Sequence, residues 1–416
     1  MIEFEQLAPA SKNSAIIKVI GVGGAGGNTI NSIIESGYQG IECIVANTDA
    51  QALELSHAKT KIQIGVKSTK GLGAGTNPDI GKRAAEEDID KVLQSVGDAD
   101  IVFLVAGMGG GTGSGGLPVI ARALREKNIL SIAVVTKPFV FEGKRRALVA
   151  EQAIEALKKE VDTLIIIPNQ KLLDVVDKQV SMIDAFAMIN NVIGQSMRGI
   201  SDIITRPGHI NVDFADVRTI MKDRGLAVMG TGRARGKERA LEAAMQAISS
   251  PLLENMSIQG AHGVLLNISG GSSLGIHEIS EAASIIYEQA HENANIILGS
   301  VIDDSLGDEV VVTIIATGFY PQEVKAATKT TEQEYMSSVA HKTVQPRHAE
   351  QILDTVLDTA KKEVELASKK QVQNAASLAK ETTQELLNVD LAHLPTDDLD
   401  VPTFLRQKAA EVKENE

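Results

Sequence analysis

The chain has 416 residues and a formal net charge of −13, with 3 % aromatic residues and a single cysteine. The acidic charge argues against a nucleic-acid-binding protein, which needs a basic surface to displace counterions. One cysteine excludes an internal disulfide framework, and Cys43 is expected to be a small buried apolar residue in a reducing compartment. The sequence shows no secretory signal and no apolar stretch near the ~20 residues of a membrane-spanning helix, so direct membrane insertion is not expected.

Residues 1–14 are predicted to form a polar tail, and residues 15–178 a first domain. In that domain short aliphatic runs alternate with helical stretches, which is typical of a parallel sheet with helices on both faces. Strands are predicted at residues 16–20, 41–46, 101–106, 129–136 and 164–167. A long central helix is predicted over residues 179–206, where the Arg206-Pro207-Gly208 sequence ends it.

A second, smaller α/β domain with a mixed sheet is predicted for residues 207–320. Its predicted helices cover residues 216–224, 237–249 and 274–292, and its predicted strands cover residues 226–233, 263–268, 295–302 and 309–317. Residues 321–396 are polar and are predicted to be a linker, within which residues 349–389 have helix-prone spacing. Residues 397–416 form a distinct acidic-to-apolar peptide and tail.

Two glycine-rich runs each follow a predicted strand. Residues 107–116 lie between a buried strand and a helix predicted to begin at Leu117, and residues 21–28 follow the first strand. Glycines let a phosphate approach the backbone, and the N–H groups and positive dipole end of a following helix attract anions. We expect the two strands to be neighbours at the switch point of the sheet, so that both runs face one polyphosphate. A flexible linker is the less favoured interpretation of the longer run.

Two other nucleotide-binding patterns fit less well. Residues 21–28 contain the G-x-G-x-x-G spacing of a dinucleotide-binding Rossmann enzyme, and Asp49 is acceptably placed for a ribose. The second glycine run and the absence of an obvious hydride-transfer constellation in the sequence argue against such an enzyme. The P-loop pattern fails in residues 75–83, where the glycines are one residue too far apart and Arg83 stands where Ser or Thr should hold Mg²⁺.

The segment after the helix break carries an amide and two carboxylates, at Asn211, Asp213 and Asp216. Asp213 is placed to cap a helix, and Asp216 would lie favourably in the first turn of that helix. The same groups can also form a cluster that orients water and attracts a cation. Both interpretations can hold at once.

Taken together, these motifs resemble those of FtsZ, the family of tubulin-like bacterial GTPases. The run Gly109-Gly110-Gly111-Thr112-Gly113-Ser114-Gly115 matches the tubulin signature, and further matching segments are residues 21–28, 46–49, 70–75, 138–146, 211–216 and 400–406. The resemblance covers residues 15–318 almost continuously, together with the tail. It implies an α/β fold in which a Rossmann-like GTP-binding domain is joined by a long central helix to a smaller domain with a mixed sheet, followed by a flexible tail.

The resemblance also implies a GTPase that uses Mg²⁺ with GTP. Glu142 would contact the ribose, Arg146 would lie near the sugar and phosphates, and Phe186 would stack near the guanine. The nucleotide-binding residues that the resemblance implies are Gly23, Gly24, Ala25, Gly26, Gly27, Asn28, Asn47, Gly109, Gly110, Gly111, Thr112, Gly113, Ser114, Gly115, Glu142, Arg146, Phe186, Asn190 and Asn191.

Catalysis is assigned by the resemblance to a contact between subunits. Asn211, Asp213 and Asp216 of one subunit would position and polarise the water that attacks the γ-phosphate bound by the next. A head-to-tail contact of this kind does not close, so it builds the filaments of the bacterial division ring. A dinucleotide-dependent enzyme and a non-hydrolysing structural paralogue are the alternatives.

Two further expectations concern specificity and partners. Asn191 stands where the family usually has Asp, and an amide offers fewer acceptors to the guanine edge, so that guanine preference is expected to be either weakened or supplied by Asn190 and water. The tail is expected to dock into a groove of membrane-tethering and regulatory division proteins through Leu399, Asp400, Val401, Pro402, Phe404, Leu405 and Arg406. The protein is expected in the cytoplasm at the midcell division ring, with no nucleic-acid partner.

Overall fold

The computed structural model describes residues 15–38, 40–173, 180–206, 208–210, 212–253 and 258–319. Its strands are β1 (Ile17–Val22), β2 (Ile41–Asn47), β3 (Thr60–Gln63), β4 (Ile101–Gly107), β5 (Leu130–Lys137), β6 (Thr163–Pro168), β7 (Gly208–Ile210), β8 (Gly225–Arg235), β9 (Gly263–Gly270), β10 (Asn295–Ile302) and β11 (Glu309–Thr317). Its α-helices are α1 (Gly23–Glu35), α2 (Ala50–Glu54), α3 (Val66–Thr69), α4 (Pro78–Glu87), α5 (Ile89–Val96), α6 (Thr112–Glu126), α7 (Lys144–Leu157), α8 (Asn169–Leu173), α9 (Met182–Thr205), α10 (Phe214–Met221), α11 (Arg239–Ile248) and α12 (Ile276–Gln289). The predicted linker and the C-terminal peptide lie outside the described residues.

The strands join in one sheet with the order β3-β2-β1-β4-β5-β6-β8-β11-β9-β10-β7. From β3 to β6 the strands are parallel, whereas β11 pairs antiparallel with both β8 and β9. The predicted α/β fold with a mixed second sheet is therefore confirmed. The two sheets are nevertheless continuous, because residues 163–165 of β6 pair in parallel with residues 225–227 of β8. This pairing satisfies backbone groups that an edge strand would leave open.

Each predicted strand is present, and β3 and β7, of four and three residues, were not predicted because so short a run carries little periodicity.

The glycine runs differ from the expectation. The helix predicted from Leu117 begins at Thr112, and α1 begins at Gly23, so both runs enter the first turn of a helix. Glycine has a low helix propensity, but close packing requires it in the first turn of α6, since a Cβ on Gly115 would overlap Pro78 O.

Helices cover both faces of the sheet. α1, α9 and α10 pack on one face and α4 to α7 on the other, while α11 and α12 cover the C-terminal half. The central helix α9 contacts both halves, because Met197 and Ile200 share a buried cluster with Ile132 of β5 and Leu265 of β9. The two halves of the sheet are thus joined by a strand pairing and by a common helix.

Cys43 lies on β2, at the margin of a core cluster. It is partly buried, less than the sequence indicated, and burial raises the pKa of its thiol to about 11. The thiol is therefore protonated at neutral pH. Within the described ranges, no helix combines the length and the apolar character needed to cross a membrane.

Candidate nucleotide-binding site

A cleft of about 440 Å³ opens at the carboxyl ends of β1, β4 and β5, beside the N-termini of α1 and α6. β1 and β4 are paired neighbours, so the order of the sheet reverses at this point, as the sequence predicted. Both glycine runs contribute to the wall, through Gly23, Gly24, Ala25, Asn28, Gly110, Gly111, Thr112 and Gly113.

The two helix N-termini border the cleft, and the first N–H groups of a helix have no partner within the helix. Neither α1 nor α6 has a side-chain N-cap hydrogen bond or an acidic residue in its first turn. The two ends lie side by side, because a Cβ on Gly23 would be 3.2 Å from Gly113 N. Two helix dipoles therefore act on one point, which favours a polyphosphate.

Hydrogen bonds shape the loop that precedes α6. Gly109 N donates to Ser114 Oγ at 2.8 Å, and Gly109 has a φ of +102°, a conformation that favours glycine. The hydroxyls of Thr48 and Thr112 share a hydrogen bond of 2.7 Å next to the cleft. The backbone N–H groups of the loop are therefore held in place before any ligand binds.

Several predicted residues lie beside the cleft without lining it, namely Gly26, Gly27, Asn47, Gly109, Ser114 and Gly115. Gly26 faces β4, since a Cβ there would lie 2.6 Å from Val105 O. The Asn47 side chain is buried, and its Oδ1 accepts a hydrogen bond of 3.3 Å from Asp49 N. The missing side chain of Gly26 lets α1 approach β4 closely, and the Asn47 amide holds the turn after β2. Direct contact with a nucleotide stays a prediction for all six residues.

Glu142 and Arg146 line the cleft near the start of α7. Arg146 Nη1 donates to Glu142 Oε2 at 2.5 Å, and Glu142 Oε1 accepts from Phe139 N at 2.9 Å. The Phe139 ring stacks on Phe141 with centroids 4.9 Å apart, and meets the edge of Phe186 at 5.4 Å. The cleft therefore has a guanidinium in its wall and an aromatic cluster beside it.

α9 forms a further wall through Phe186 and Asn190, which are one helical turn apart. Thr29 Oγ1 donates to Asn190 Oδ1 at 3.0 Å, which holds the amide in place. Asn191 is exposed and does not line the cleft, since successive residues of a helix point about 100° apart. Its predicted contact with the guanine edge stays a prediction.

Asn169 lines the cleft although it belongs to none of the sequence motifs described above. It directly follows β6 and is 5 % exposed, and its Oδ1 is buried without a hydrogen-bond partner among the described residues. A ligand N–H or O–H would satisfy this acceptor. The sequence feature that could have identified Asn169 is an amide just after a predicted strand, at the edge of the sheet where the glycine runs also lie. Thr136 and Pro138, at the end of β5, line the cleft as well.

The predicted catalytic carboxylates, Asp213 and Asp216, do not line the cleft of their own chain. Asp213 caps α10 by accepting from Asp216 N at 3.0 Å, so the predicted helix cap is confirmed, and both side chains are exposed. Asn211 lies outside the described residues. Arg218 of α10 donates to Asn128 O at 3.3 Å, just beyond the C-terminus of α6, whose N-terminus borders the cleft. The 15 residues of α6 span about 22 Å.

Two further observations concern the dinucleotide-binding alternative and the binding of a metal ion. The Asp49 carboxylate caps α2 by accepting from Gln51 N and Ala52 N at 2.9 and 3.2 Å, so it is engaged within the chain instead of facing a ribose. In the part of the chain that the structure describes, no group of three or more His, Cys, Asp or Glu side chains could hold a metal ion. A metal at this site would depend on oxygens of the ligand itself.

The fold and the cleft define an α/β protein that binds a phosphorylated nucleotide across two helix N-termini at a switch point of its sheet. Comparison with known proteins narrows this class. Residues 16–177 match the Tubulin/FtsZ family, GTPase domain, and residues 225–320 match the FtsZ family, C-terminal domain.

Solved structures agree with these matches. An empty FtsZ dimer from M. jannaschii is 42 % identical, with a TM-score of 0.71, covering 74 % of this chain and 89 % of that chain. The GDP-bound CetZ1 monomer from Haloferax volcanii shares the fold at 24 % identity and a TM-score of 0.65, covering 73 % of this chain and 94 % of that chain. The GTPgS-bound CetZ2 protofilament from the same organism shares the fold at 19 % identity and a TM-score of 0.63, covering 77 % of this chain and 99 % of that chain. The chain belongs to the FtsZ family and is a tubulin-like GTPase.

Proposed function

We propose that this chain is a self-assembling GTPase of the bacterial division ring, in which GTP bound by one subunit is hydrolysed with Asp213 and Asp216 of the next. The proposal is carried by the position of α10, whose exposed carboxylates do not line the cleft of their own chain and whose C-terminal turn contacts the end of α6 opposite the cleft. Within one described chain, the carboxylate that lines the cleft is Glu142, and it is already engaged by Arg146 and by Phe139 N. A second subunit is needed to bring a free carboxylate to the phosphates.

The cleft suits a nucleoside triphosphate accompanied by Mg²⁺. The N–H groups of two helix N-termini and the Arg146 guanidinium favour the phosphates, and the Asn169 and Asn190 amides are available to the base and sugar. Because Mg²⁺ prefers phosphate and water oxygens at such sites, the ion fits as the companion of the triphosphate, with the Thr112 hydroxyl as the nearby protein oxygen.

The exposed position of Asp213 and Asp216 at the N-terminus of α10 suits a role in another subunit. One Asp213 oxygen accepts from Asp216 N, which leaves its second oxygen and the Asp216 carboxylate to orient a water molecule. Phosphoryl transfer depends on positioning and electrostatics and needs no covalent nucleophile. A contact between unlike ends repeats without closing, so it produces a filament. The dimer seen for M. jannaschii FtsZ supports self-association of this chain.

Complementation between two full-length variants tests the proposal. Asp213→Ala keeps the cleft and loses a carboxylate. Gly24→Asp keeps the carboxylates and places a negative charge in the cleft, where a Cβ on Gly24 meets nothing within 4 Å. We expect each variant to be inactive alone and their mixture to hydrolyse GTP, at a specific rate that rises with protein concentration. Asp213→Ala should still bind GTP.

The matched control pairs Asp213→Ala with the double variant Gly24→Asp/Asp213→Ala, which should give no hydrolysis. An inactive mixture of the two single variants would argue against hydrolysis between subunits, and an Asp213→Ala protein that hydrolyses GTP alone would show that Asp213 is not needed. Either result would overturn the proposal.

Residues 399–406 carry the proposed contact with membrane-tethering and regulatory division proteins, and this contact would hold the filament at midcell in the cytoplasm. Apolar anchors flanked by acidic and basic residues in this peptide support docking into a partner groove. Removal of residues 397–416 is expected to leave assembly and GTP hydrolysis in place and to abolish recruitment to midcell, as followed by fluorescence microscopy.

A further inference from the structure

We propose that Asn128 is a positioning residue for the hydrolytic site that a subunit offers to its neighbour, an inference that rests on the proposed function above. Asn128 lies immediately beyond α6, and its side chain binds α10, the helix that carries Asp213 and Asp216. The amide therefore helps to set where these carboxylates stand relative to the rest of the subunit.

Three hydrogen bonds join Asn128 to α10 and the residue after it. Arg218 Nη2 donates to Asn128 O and to Asn128 Oδ1, each at 3.3 Å, and Lys222 Nζ donates to Asn128 Oδ1 at 3.2 Å. A fourth link comes from the last turn of α6, where Arg125 Nη2 lies 3.8 Å from Asp223 Oδ1. All four contacts join the C-terminal end of α6 to the C-terminal end of α10.

The opposite side of α10 is held by the sheet. Thr317 Oγ1 of β11 donates to Ile220 O at 3.0 Å, and Thr163 Oγ1 of β6 donates to Met221 O. Ile220 and Met221 are fully buried. The C-terminal turn of α10 is thus fixed between the sheet on one side and Asn128 on the other, whereas its N-terminal turn carries the exposed carboxylates.

The geometry of α10 explains why this anchor affects the carboxylates. The helix has eight residues and is about 12 Å long, and Asp213 lies at the end opposite the anchor. A small tilt of the helix at its anchored end therefore displaces the Asp213 carboxylate. Phosphoryl transfer depends on the placement of the attacking water, and a displacement of about 1 Å is enough to lower the rate substantially. Loss of the Asn128 amide should therefore slow hydrolysis without changing the cleft of the same subunit.

The backbone of Asn128 provides a clean variant. Its φ of +56° lies in the left-handed region, which glycine adopts freely and which Asn and Asp tolerate. Asn128→Gly therefore removes the side chain while it keeps the backbone, and Asn128→Asp keeps an acceptor between Arg218 and Lys222. The proposal expects the first change to impair positioning and the second to preserve it.

The experiment uses the complementation assay in full-length protein. Asp213→Ala is the acceptor, and the donor is Gly24→Asp with or without a further change at Asn128. With Asn128→Gly in the donor we expect the hydrolysis rate at saturating donor to fall about tenfold. The donor concentration that gives half of the maximal rate should stay unchanged, because the defect lies in positioning and not in assembly. With Asn128→Asp the rate should return to at least half of the reference.

Arg122→Ala in the donor is the matched control. Arg122 lies on α6 itself and makes an exposed ion pair with Glu160 at 3.0 Å, and none of its hydrogen bonds or ion pairs in the described residues reaches α10. This control should retain the rate of the Gly24→Asp donor. A fall as large as that of Asn128→Gly would indicate a general loosening of α6 and would overturn the proposal.

Other outcomes separate this inference from the function on which it rests. An Asn128→Gly donor as active as the reference donor overturns the role of Asn128 and leaves hydrolysis between subunits intact. A folded Asn128→Asp donor that is as weak as Asn128→Gly also overturns it. A Gly24→Asp donor that activates nothing overturns the proposed function, and with it the inference.

Discussion

At the scale of single residues, Arg239 of α11 is the most enclosed cation in the described second half of the sheet. Its side chain is 5 % exposed. The guanidinium donates to Glu278 Oε1 and Asp308 Oδ1 at 2.8 Å each, and to Ser273 O at 3.1 Å. Glu278 also accepts from Gly275 N at 2.8 Å at the start of α12. The loss of Arg239 would leave a partly buried carboxylate and a carbonyl without their donor.

Arg239→Ala should therefore lower the free energy of unfolding by about 3 kcal/mol. Urea titration followed by circular dichroism measures the change. Arg235→Ala is the control, because Arg235 is 74 % exposed and lies 3.7 Å from Glu309 Oε1. It should cost less than about 0.5 kcal/mol. Equal losses in the two variants would contradict this account.

The ion pair between Arg239 and Glu278 makes the loss of stability in Arg239→Ala depend on pH. The hydrogen bond from Arg239 lowers the pKa of Glu278. A lowered pKa in the folded state contributes stability that is present above the unfolded pKa, about 4.3, and that is lost as the pH falls through the folded value. The difference in stability between the unsubstituted protein and Arg239→Ala should therefore narrow below about pH 4. A stability difference that stays constant down to acid pH would show that the ion pair with Glu278 does not account for the contribution of Arg239 to stability.

At the scale of elements, the position of α1 depends on glycines that touch strands. A Cβ on Gly26 would lie 2.6 Å from Val105 O of β4, and one on Gly21 of β1 would overlap Gly26 O. A Cβ on Gly27 would meet only Val45 Cγ1, at an ordinary 3.6 Å. The helix can thus lie against β1 and β4 only where the side chain is absent, and this contact places its N-terminus at the cleft.

Gly26→Ala should push α1 away from the sheet and lower stability by about 2 kcal/mol. Its affinity for GTP should fall as well, since the N-terminus of α1 borders the cleft. Thermal unfolding and titration with a fluorescent GTP analogue measure the two effects. Gly27→Ala, the adjacent control, should leave stability within about 0.5 kcal/mol of the unsubstituted protein. A Gly26→Ala protein of normal stability would show that the close contact relaxes without cost.

At the scale of the whole molecule, a charge cluster joins α9 to the C-terminal half of the sheet. Asp303, just after β10, accepts from Arg198 and, at 3.1 Å, from Arg206. Both arginines also bind Asp202 of α9, at 2.9 and 3.2 Å. Burial raises the pKa of Asp202. Together with the pairing of β6 and β8, this cluster couples the two halves of the sheet.

Asp303→Ala should weaken this coupling, so that calorimetry shows a broadened or divided unfolding transition. Glu309→Ala is the matched control, because Glu309 also lies between two arginines, Arg233 and Arg235, but all three belong to β8 and β11. That change should lower stability while the transition stays single. A single sharp transition in Asp303→Ala would show that the strand pairing and apolar contacts suffice for the coupling.

The sequence by itself determined the features that depend on neighbours along the chain. Alternating aliphatic runs predicted the longer strands, and the spacing of Asp213 and Asp216 predicted the cap of α10, which is confirmed. Two glycine runs after strands predicted an anion site at the switch point because parallel strands end at one edge of a sheet. These patterns are local, since backbone geometry and side-chain alternation repeat over a few residues.

The tertiary structure decided what depends on contacts between distant segments. It joined the two sheets through β6 and β8, set Asn190 rather than Asn191 in the cleft wall, and left Asn169 Oδ1 with no partner among the residues that the structure describes. It also packed the C-terminal turn of α10 against the C-terminal end of α6 and kept Asp213 and Asp216 out of the cleft wall of their own chain. No spacing along the chain encodes such distances, because they follow from how helices pack on the sheet and from where close backbone contacts require glycine.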